Sequence, residues 1–226
     1  MTLTSMQRLL ITGGAGYLGA ELARQALAGG WHVAATFFST HPPLAPVAWR
    51  QLDIRDAAAP TEAMAELQPD VVVHTAYRQS GPDLWATTAG GTANVARGCQ
   101  AIGAQLVHLS SDALFDGELP PGQRYTAADA PSPITPYGEA KAAAERSVEE
   151  IMPGALVVRT SLIYGGAQPG PHEQLVFDAL EGRADVAFFT DELRCPVAVA
   201  DLAAGILELL AAGQRGRVHL AGPATL

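Results

Sequence analysis

The feature that most constrains the fold is a glycine-rich segment between a short apolar run and a helical pattern. Residues 8–12 are apolar enough for a buried strand and lead directly into Gly13, Gly16 and Gly19. Residues 17–28 then carry leucines near helical spacing and stop at a pair of glycines. A strand, a glycine turn and a helix in this order form the context in which such a fingerprint indicates dinucleotide binding.

The three glycines have separate physical tasks in such a loop. We expect Gly13 to make the tight turn, Gly16 to let the backbone approach a pyrophosphate and Gly19 to allow close packing of helix on strand. The amino end of the helix offers free N–H groups to the anion. We therefore assign cofactor binding to the following residues of the loop: Gly13, Gly16, Tyr17, Leu18 and Gly19. A tight turn without a ligand is the alternative interpretation.

The same alternation of short apolar runs and helical stretches continues along all 226 residues. Such alternation is typical of βαβ units around a mostly parallel sheet. We predict strands at residues 8–12, 32–37, 48–52, 71–75, 105–110, 155–160 and 217–221. We predict helices at residues 17–28, 57–67, 87–102, 136–151, 173–181 and 199–212. The predicted fold class is α/β, a Rossmann-like doubly wound sheet with a small C-terminal substrate-binding part.

We expect one compact domain with two functional parts. Residues 1–165 are predicted to form the dinucleotide-binding core. Residues 166–226 are predicted to combine a substrate-binding region with a returning helix and strand of that core. The chain ends abruptly after its last predicted strand, so we expect a truncated C-terminus.

The charge and the apolar pattern restrict the partners. A formal net charge of −9, spread along the chain, argues against a nucleic acid or an anionic membrane and favours a small-molecule substrate. The two cysteines lack metal-ligand spacing, so no metal is predicted. The first residues lack the pattern of a signal peptide and no apolar run is long enough to span a membrane, which predicts a cytoplasmic protein.

Candidate catalytic residues follow the fifth and precede the sixth predicted strand. Tyr137 and Lys141 are four residues apart on a predicted helix, so both side chains lie on one face. A neighbouring ammonium would lower the pKa of the phenol toward the working range of a general acid. Ser110 and Ser111 end a strand, at the sheet edge where ligands bind in such folds. Alone, each pattern also fits an exposed helical pair or a strand cap.

Four segments together resemble the extended short-chain dehydrogenases/reductases, and within them the sugar-nucleotide reductases that make dTDP-rhamnose. These segments are TGGAGYLG at 12–19, SSDALFDG at 110–117, PITPYGEAKAAAE at 133–145 and RTSLIYG at 159–165. The resemblance implies that Ser111 hydrogen-bonds a substrate keto oxygen, that Tyr137 delivers a proton and that Lys141 holds the cofactor ribose and tunes the tyrosine. It also allows a homodimer.

The resemblance implies further cofactor contacts. Asp53 and Ile54 occupy the position beside the adenine, where a helix-capping aspartate is the alternative. Thr75, Ala76 and Tyr77 match the small-residue turn beside the cofactor, where core packing is the alternative for Thr75. After the second strand, Ser39, Thr40 and His41 offer donors and no carboxylate would repel a 2′-phosphate. We therefore expect NADP(H) to be preferred and NAD(H) to be accepted, although no Arg or Lys is close by in sequence.

The implied substrate is a nucleotide-linked 4-keto sugar, and its site shows departures from that branch. The residues assigned to substrate binding are Ser111, Asp112, Leu162 and Arg194. Leu162 replaces a tryptophan, Ala113 a tyrosine and Thr88 an asparagine of many extended members, so the sugar meets a different wall. The guanidinium of Arg194 suits a phosphate, with a plain surface arginine as the alternative.

Two other functions remain open from the sequence. One is a non-catalytic, nucleotide-binding regulatory subunit, because a fold does not fix a function. The other is an epimerase or dehydratase that uses the same tyrosine with a tightly held NAD.

Overall fold

The computed structural model of the chain describes residues 7–42, 46–120 and 122–226. The first six residues, on which the expectation about a signal peptide partly rests, lie outside this part. The strands are β1 Arg8–Thr12, β2 His32–Phe37, β3 Ala48–Gln51, β4 Val71–His74, β5 Gln105–Ser111, β6 Leu156–Thr160, β7 Ile163–Tyr164, β8 Val197–Ala198 and β9 Gly216–His219. The helices are α1 Tyr17–Ala28, α2 Ala59–Leu67, α3 Thr92–Ile102, α4 Pro136–Ile151, α5 Pro171–Leu180 and α6 Val199–Ala211.

Seven of these strands form one parallel sheet in the order β3-β2-β1-β4-β5-β6-β9. The order reverses between β1 and β4, where Leu10 pairs with Val72. This arrangement confirms the predicted Rossmann-like, doubly wound α/β fold. In such sheets, ligands bind at the carboxyl ends of the strands beside the reversal.

Both faces of the sheet are covered, as the continuous apolar strands require. Leu9 and Ile11 point to one face, where α1 and α6 pack, and Leu10 points to the other, with α2, α3 and α4. All three side chains are fully buried. The alternation of β1 between two apolar layers explains why its sequence reads as an uninterrupted apolar run.

The predicted elements agree with the observed ones to within two residues, apart from two differences. The helix predicted from residue 87 begins as a π-helical turn, Ala86–Gly91, before α3. A Cβ on Gly91 would lie 2.6 Å from the side chain of Ile54, so the turn packs closely on the loop after β3. The second difference is a small sheet of β7 and β8, which pair at Ile163 and Val197. Strands of two residues carry no periodicity that a sequence could show.

The C-terminal quarter returns to the main sheet. Strand β9 pairs with β6, and α6 packs against α1. Helix α5 has no buried residue and contacts β7. Within the described ranges, no helix combines the length and apolar character needed to cross a membrane.

Two histidines lie side by side in the centre of the sheet. His74 on β4 and His108 on β5 are buried and stacked, with ring centroids 5.5 Å apart. Thr12 and Thr92 hydroxyls hydrogen-bond the two ring nitrogens of His74 at 2.6 and 3.0 Å, whereas neither nitrogen of His108 has a partner in the described structure. Burial, and then the charge of Lys141, lowers the pKa of His74 to about 3 and that of His108 well below its usual range.

The lowered pKa values of these two histidines predict that acid destabilises the fold. Because both stay neutral when folded, their effect is to leave the free energy of unfolding undiminished above pH 6.5 and to lower it as the pH falls below that value. Between pH 8 and pH 5 each histidine should remove about 2 kcal/mol from the free energy of unfolding, since only the unfolded chain takes up its proton. Urea unfolding at both pH values measures this loss.

His108→Leu should remove about half of that pH dependence without lowering stability at pH 8, because it deletes two unpartnered polar atoms. His32→Gln, at an exposed position, is the matched control and should leave the pH dependence as it is. An unchanged slope in His108→Leu would contradict the assignment.

Candidate active site

Two cavities open along the carboxyl ends of the strands around β1 and β4. One has a volume of about 480 Å³ and the other of about 430 Å³. They share four lining residues, Gly16, Thr75, Tyr77 and Arg78, and thus form one cleft that bends around the glycine loop. We name them the catalytic cavity, lined by Tyr137, and the nucleotide cavity, lined by Asp53. A third depression, of about 520 Å³, lies at the opposite ends of the strands and holds none of the predicted site residues.

The glycine loop has no room for side chains at its contact points. Gly13 has a φ of +76°, and a Cβ there would lie 2.7 Å from the backbone nitrogen of Ala76. A Cβ on Gly19 would collide with the carbonyl oxygen of Gly13, so α1 rests directly on the turn. Gly16 is the N-cap of α1, and no side chain makes a capping hydrogen bond to the amino end of the helix. The cradle therefore fits a dinucleotide pyrophosphate.

Gly13 lines the nucleotide cavity, whereas the end of the loop lines the catalytic cavity. Leu18 and Gly19 line the catalytic cavity, as does Tyr17. The hydroxyl of Tyr17 accepts a 2.6 Å hydrogen bond from Gly166 N and donates to Glu173 at 3.1 Å. Tyr17 therefore joins the phosphate cradle to α5 and to the segment before it.

The nucleotide cavity receives the residues that follow β3 and β4. Asp53, Ile54 and Ala76 line it, together with Thr75 and Tyr77, which also reach the catalytic cavity. The side chain of Asp53 binds Arg55, and Asp56 instead accepts the amides of Ala58 and Ala59 at the start of α2. The helix-capping alternative for Asp53 is therefore wrong.

Ser111, Tyr137 and Lys141 come together in the catalytic cavity. Thr135 caps α4 by accepting the amide of Gly138 at 3.1 Å, which fixes the helix start beside Tyr137. A Cβ on Gly138 would collide with the carbonyl oxygen of Ala113, in the turn that follows Ser111. The absence of that Cβ lets the helix start and the strand end approach each other.

The expected lowering of the Tyr137 pKa is wrong for this structure. Burial is the largest cause and raises the pKa of Tyr137 above its ordinary value, and Tyr77 adds to the shift. Ser111 and Arg194 act in the opposite direction but do not outweigh burial. The phenol is therefore neutral and carries its proton at physiological pH.

Lys141 is buried below the two tyrosine rings. Its ammonium lies 5.1 Å from the centroid of the Tyr77 ring and 6.0 Å from that of Tyr137. It donates a 2.8 Å hydrogen bond to the carbonyl oxygen of Leu109. Burial lowers the pKa of Lys141 to about 8, with a smaller opposing effect from Glu145. Its ammonium thus faces the aromatic rings, and its charge titrates near neutral pH.

Most, but not all, of the residues predicted to bind substrate line the catalytic cavity. Leu162, Ala113 and Arg194 line the catalytic cavity, so two of the replaced positions face the same space. Asp112 does not line it but binds Arg194 in a fork, at 2.6 and 2.8 Å. Arg194 also binds Glu192. The alternative interpretation of Arg194 as a plain surface arginine is wrong, because its guanidinium is part-buried in an ion-pair network.

The structure gives three residues a place at the site that the sequence did not indicate. Ser110 and Thr160 line the catalytic cavity, and their buried hydroxyls have no hydrogen-bond partner in the described structure. The family resemblance assigned the substrate contact to Ser111 and none to Ser110. Thr88, in the π-helical turn, binds both the amide and the carbonyl of Arg78 and so fixes that residue at the junction of the cavities. Nothing in the spacing of these residues indicates a shared site.

Fold and site together define a member of the extended short-chain dehydrogenases/reductases. More narrowly, the chain belongs to the RmlD substrate binding domain family, whose model matches residues 6–225. The predicted resemblance to this branch is thereby confirmed.

Individual relatives bear different names. The chain is 33% identical over 221 residues to a dTDP-4-dehydrorhamnose reductase of Mycobacterium tuberculosis, covering 94% of this chain and 68% of that protein. It is 35% identical over 166 residues to methionine adenosyltransferase 2 subunit beta of Rattus norvegicus, covering 70% of this chain and 48% of the subunit. The chain thus spans about half the length of that subunit.

A solved structure is similar over nearly the whole chain. It is a dTDP-4-dehydrorhamnose reductase from Bacillus anthracis in complex with NADP, with a TM-score of 0.80 and 25% identity. The match covers 99% of this chain and 78% of that one.

The close approach at Gly138 predicts a strong effect of one methyl group. Gly138→Ala should lower the free energy of unfolding by about 1–3 kcal/mol, because the new Cβ forces the start of α4 away from the turn after Ser111. Gly90→Ala is the matched control, since a Cβ there meets nothing within 4 Å, and it should be neutral or slightly stabilising. Urea titrations compare the two, and equal effects would refute the packing argument.

Proposed function

We propose that this chain is an NADP(H)-preferring reductase of a nucleotide-linked 4-keto sugar. The observation that carries the proposal is the single cleft in which the glycine cradle continues to Ser111, Tyr137 and Lys141. The name of the mycobacterial relative and the bound NADP of the Bacillus structure support the reaction and the cofactor. NAD(H) is the second cofactor that the cleft would accept.

The residues of this chain divide the work. The cradle at Gly13, Gly16 and Gly19 would hold the pyrophosphate, and Thr75, Ala76 and Tyr77 the part between the cavities. When bound, the nicotinamide supplies the hydride. Burial keeps the proton on the phenol oxygen of Tyr137, so this group already has the form that a carbonyl reduction needs. Ser111 donates to the same carbonyl oxygen and stabilises the developing alkoxide.

The substrate part would be formed by residues 166–196 and the walls of the catalytic cavity. Leu162 and Ala113 replace two aromatic residues of the rhamnose branch there, which leaves more room beside Ser111. Arg194 would meet a diphosphate once its guanidinium exchanges Glu192 or Asp112 for the ligand. We therefore propose a sugar nucleotide that is larger or differently shaped than the rhamnose precursor.

Tyr137→Phe tests the reaction directly. We expect turnover on an accepted 4-keto sugar nucleotide to fall by about 100-fold or more, because the proton donor is lost, while the Kd for NADPH changes little. Tyr164→Phe is the matched control on an exposed tyrosine outside the cavity and should keep full turnover. Turnover retained in Tyr137→Phe would overturn the mechanism.

The pKa of Lys141 predicts the pH profile of turnover. We propose that the ammonium holds the cofactor ribose. It is present below about pH 8 and lost above it, so the rate should fall as the pH rises through that value. Well above pH 8, kcat should fall by about tenfold per pH unit, as expected for a single required proton. The kcat measured from pH 6 to 10 shows this, and a rate that stays level to pH 10 would exclude a required ammonium.

A regulatory subunit is the second candidate function, favoured by the relative named as a subunit of methionine adenosyltransferase 2. NADPH consumption with a panel of nucleotide-linked 4-keto sugars separates the two. A reductase consumes cofactor with at least one member of the panel. A purely regulatory chain binds NADPH and consumes none with any of them.

A further inference from the structure

An arginine that the sequence places far from the end of β2 lies on the same wall of the nucleotide cavity. Arg55 follows β3, and its guanidinium sits over the ring of Phe38 at 5.2 Å from the centroid. Phe38, Ser39 and Thr40 line that cavity together with Arg55. The cation that the sequence does not provide after β2 therefore comes from the loop after the neighbouring strand, β3.

The backbone of this arginine is held firmly. The side-chain amide of Asn94, on α3, donates to the carbonyl oxygens of Ile54 at 3.0 Å and Arg55 at 3.4 Å. Ile54 is buried against the π-helical turn at Gly91. The guanidinium thus projects from a fixed base into the cavity.

Asp53 and Asp83 both bind the guanidinium of Arg55, and Asp53 makes more of the contacts. Asp53 receives Nε and Nη2 of Arg55 in a fork at 2.7–3.1 Å, and also its backbone amide at 3.0 Å. Asp83 contacts only Nη1, at 2.8 Å, and its side chain is 51% exposed. Asp83 is therefore the partner that an incoming anion can replace, while Asp53 keeps the arginine oriented.

Arg78 is the other cation among the described residues that line this cavity. It also lines the catalytic cavity, at the junction beside Thr75 and Tyr77. Arg55 instead touches Phe38, which comes directly after β2, the position that reads the adenosine ribose in this fold.

We propose that Arg55 recognises the adenosine 2′-phosphate of the cofactor and that Asp83 is an internal competitor which the phosphate displaces. This inference rests on the proposed function and names the residue that sets its cofactor preference. A planar guanidinium with one freed edge suits a phosphate. Because Asp83 satisfies that edge when no phosphate is present, the cleft also accepts a cofactor with a free 2′-hydroxyl.

The test uses two nucleotides that differ only in the 2′-phosphate, adenosine 2′,5′-bisphosphate and 5′-AMP, with calorimetric titration of the full chain. In Arg55→Gln the affinity for the bisphosphate should fall about 30-fold, as expected for losing a charged hydrogen-bonded contact, while that for 5′-AMP stays within about threefold. In Asp83→Asn the affinity for the bisphosphate should rise about two- to fivefold, as expected for removing an exposed competing carboxylate.

Arg50→Gln is the matched control. It removes the same charge from β3 at a residue that pairs with Glu66 and does not line the cavity, so the ratio of the two affinities should not change. The assignment is overturned if Arg55→Gln lowers both affinities equally or if Arg50→Gln has the same effect as Arg55→Gln. It is also overturned if Asp83→Asn weakens binding of the bisphosphate. If the unmodified chain binds neither nucleotide nor NADPH, the proposed function fails, which is a separate outcome.

Discussion

A buried ion pair holds the parts of the catalytic cavity together. Arg159 on β6 binds Glu145 on α4 at 2.8 Å, with both side chains almost fully excluded from water. The same guanidinium donates to the carbonyl oxygens of Ala127 and Asp129 and lies over the ring of Phe115. Removing either partner would leave an uncompensated buried charge, which typically costs about 3–5 kcal/mol. The helix that carries Tyr137 and Lys141 is therefore fixed to the sheet and to the loop after Ser111.

The fold was predictable because its signals are local. Strand β1 and helix α1 have the predicted bounds, since the glycines at either end of α1 mark its limits and the apolar residues of β1 leave one interpretation. The π-helical turn was not predictable, because it depends on how closely Gly91 approaches Ile54 from another element. The pairing of β7 with β8 depends likewise on a contact between residues more than thirty positions apart.

The candidate site was likewise predictable where its signals are local and not where it depends on contacts between distant residues. The sequence predicted one site for Ser111, Tyr137 and Lys141, because strand ends and helix faces have known positions in this fold. All three residues line one cavity. The sequence did not indicate Arg55 as part of the nucleotide cavity. Phe38 follows β2 and Arg55 follows β3, so the two side chains meet only once these strands pair. The sequence could not show that Asp112 binds Arg194, a pair 82 residues apart. The sign of the Tyr137 pKa shift was missed because burial, which outweighs charge here, has no sequence signal.

The electrostatics of the cavity bear on the direction of the proposed reaction. A reduction needs a proton on the phenol oxygen, and the buried Tyr137 holds one over the whole physiological range. The reverse reaction needs the phenolate, which burial disfavours and which only a charged Lys141 nearby would support. Since burial also lowers the pKa of Lys141 to about 8, that support weakens as the pH rises toward the range where the phenol would ionise. Desolvation therefore keeps the phenol in the protonated form that the proposed reduction needs, while the loss of the Lys141 ammonium above about pH 8 limits the pH range of that reduction.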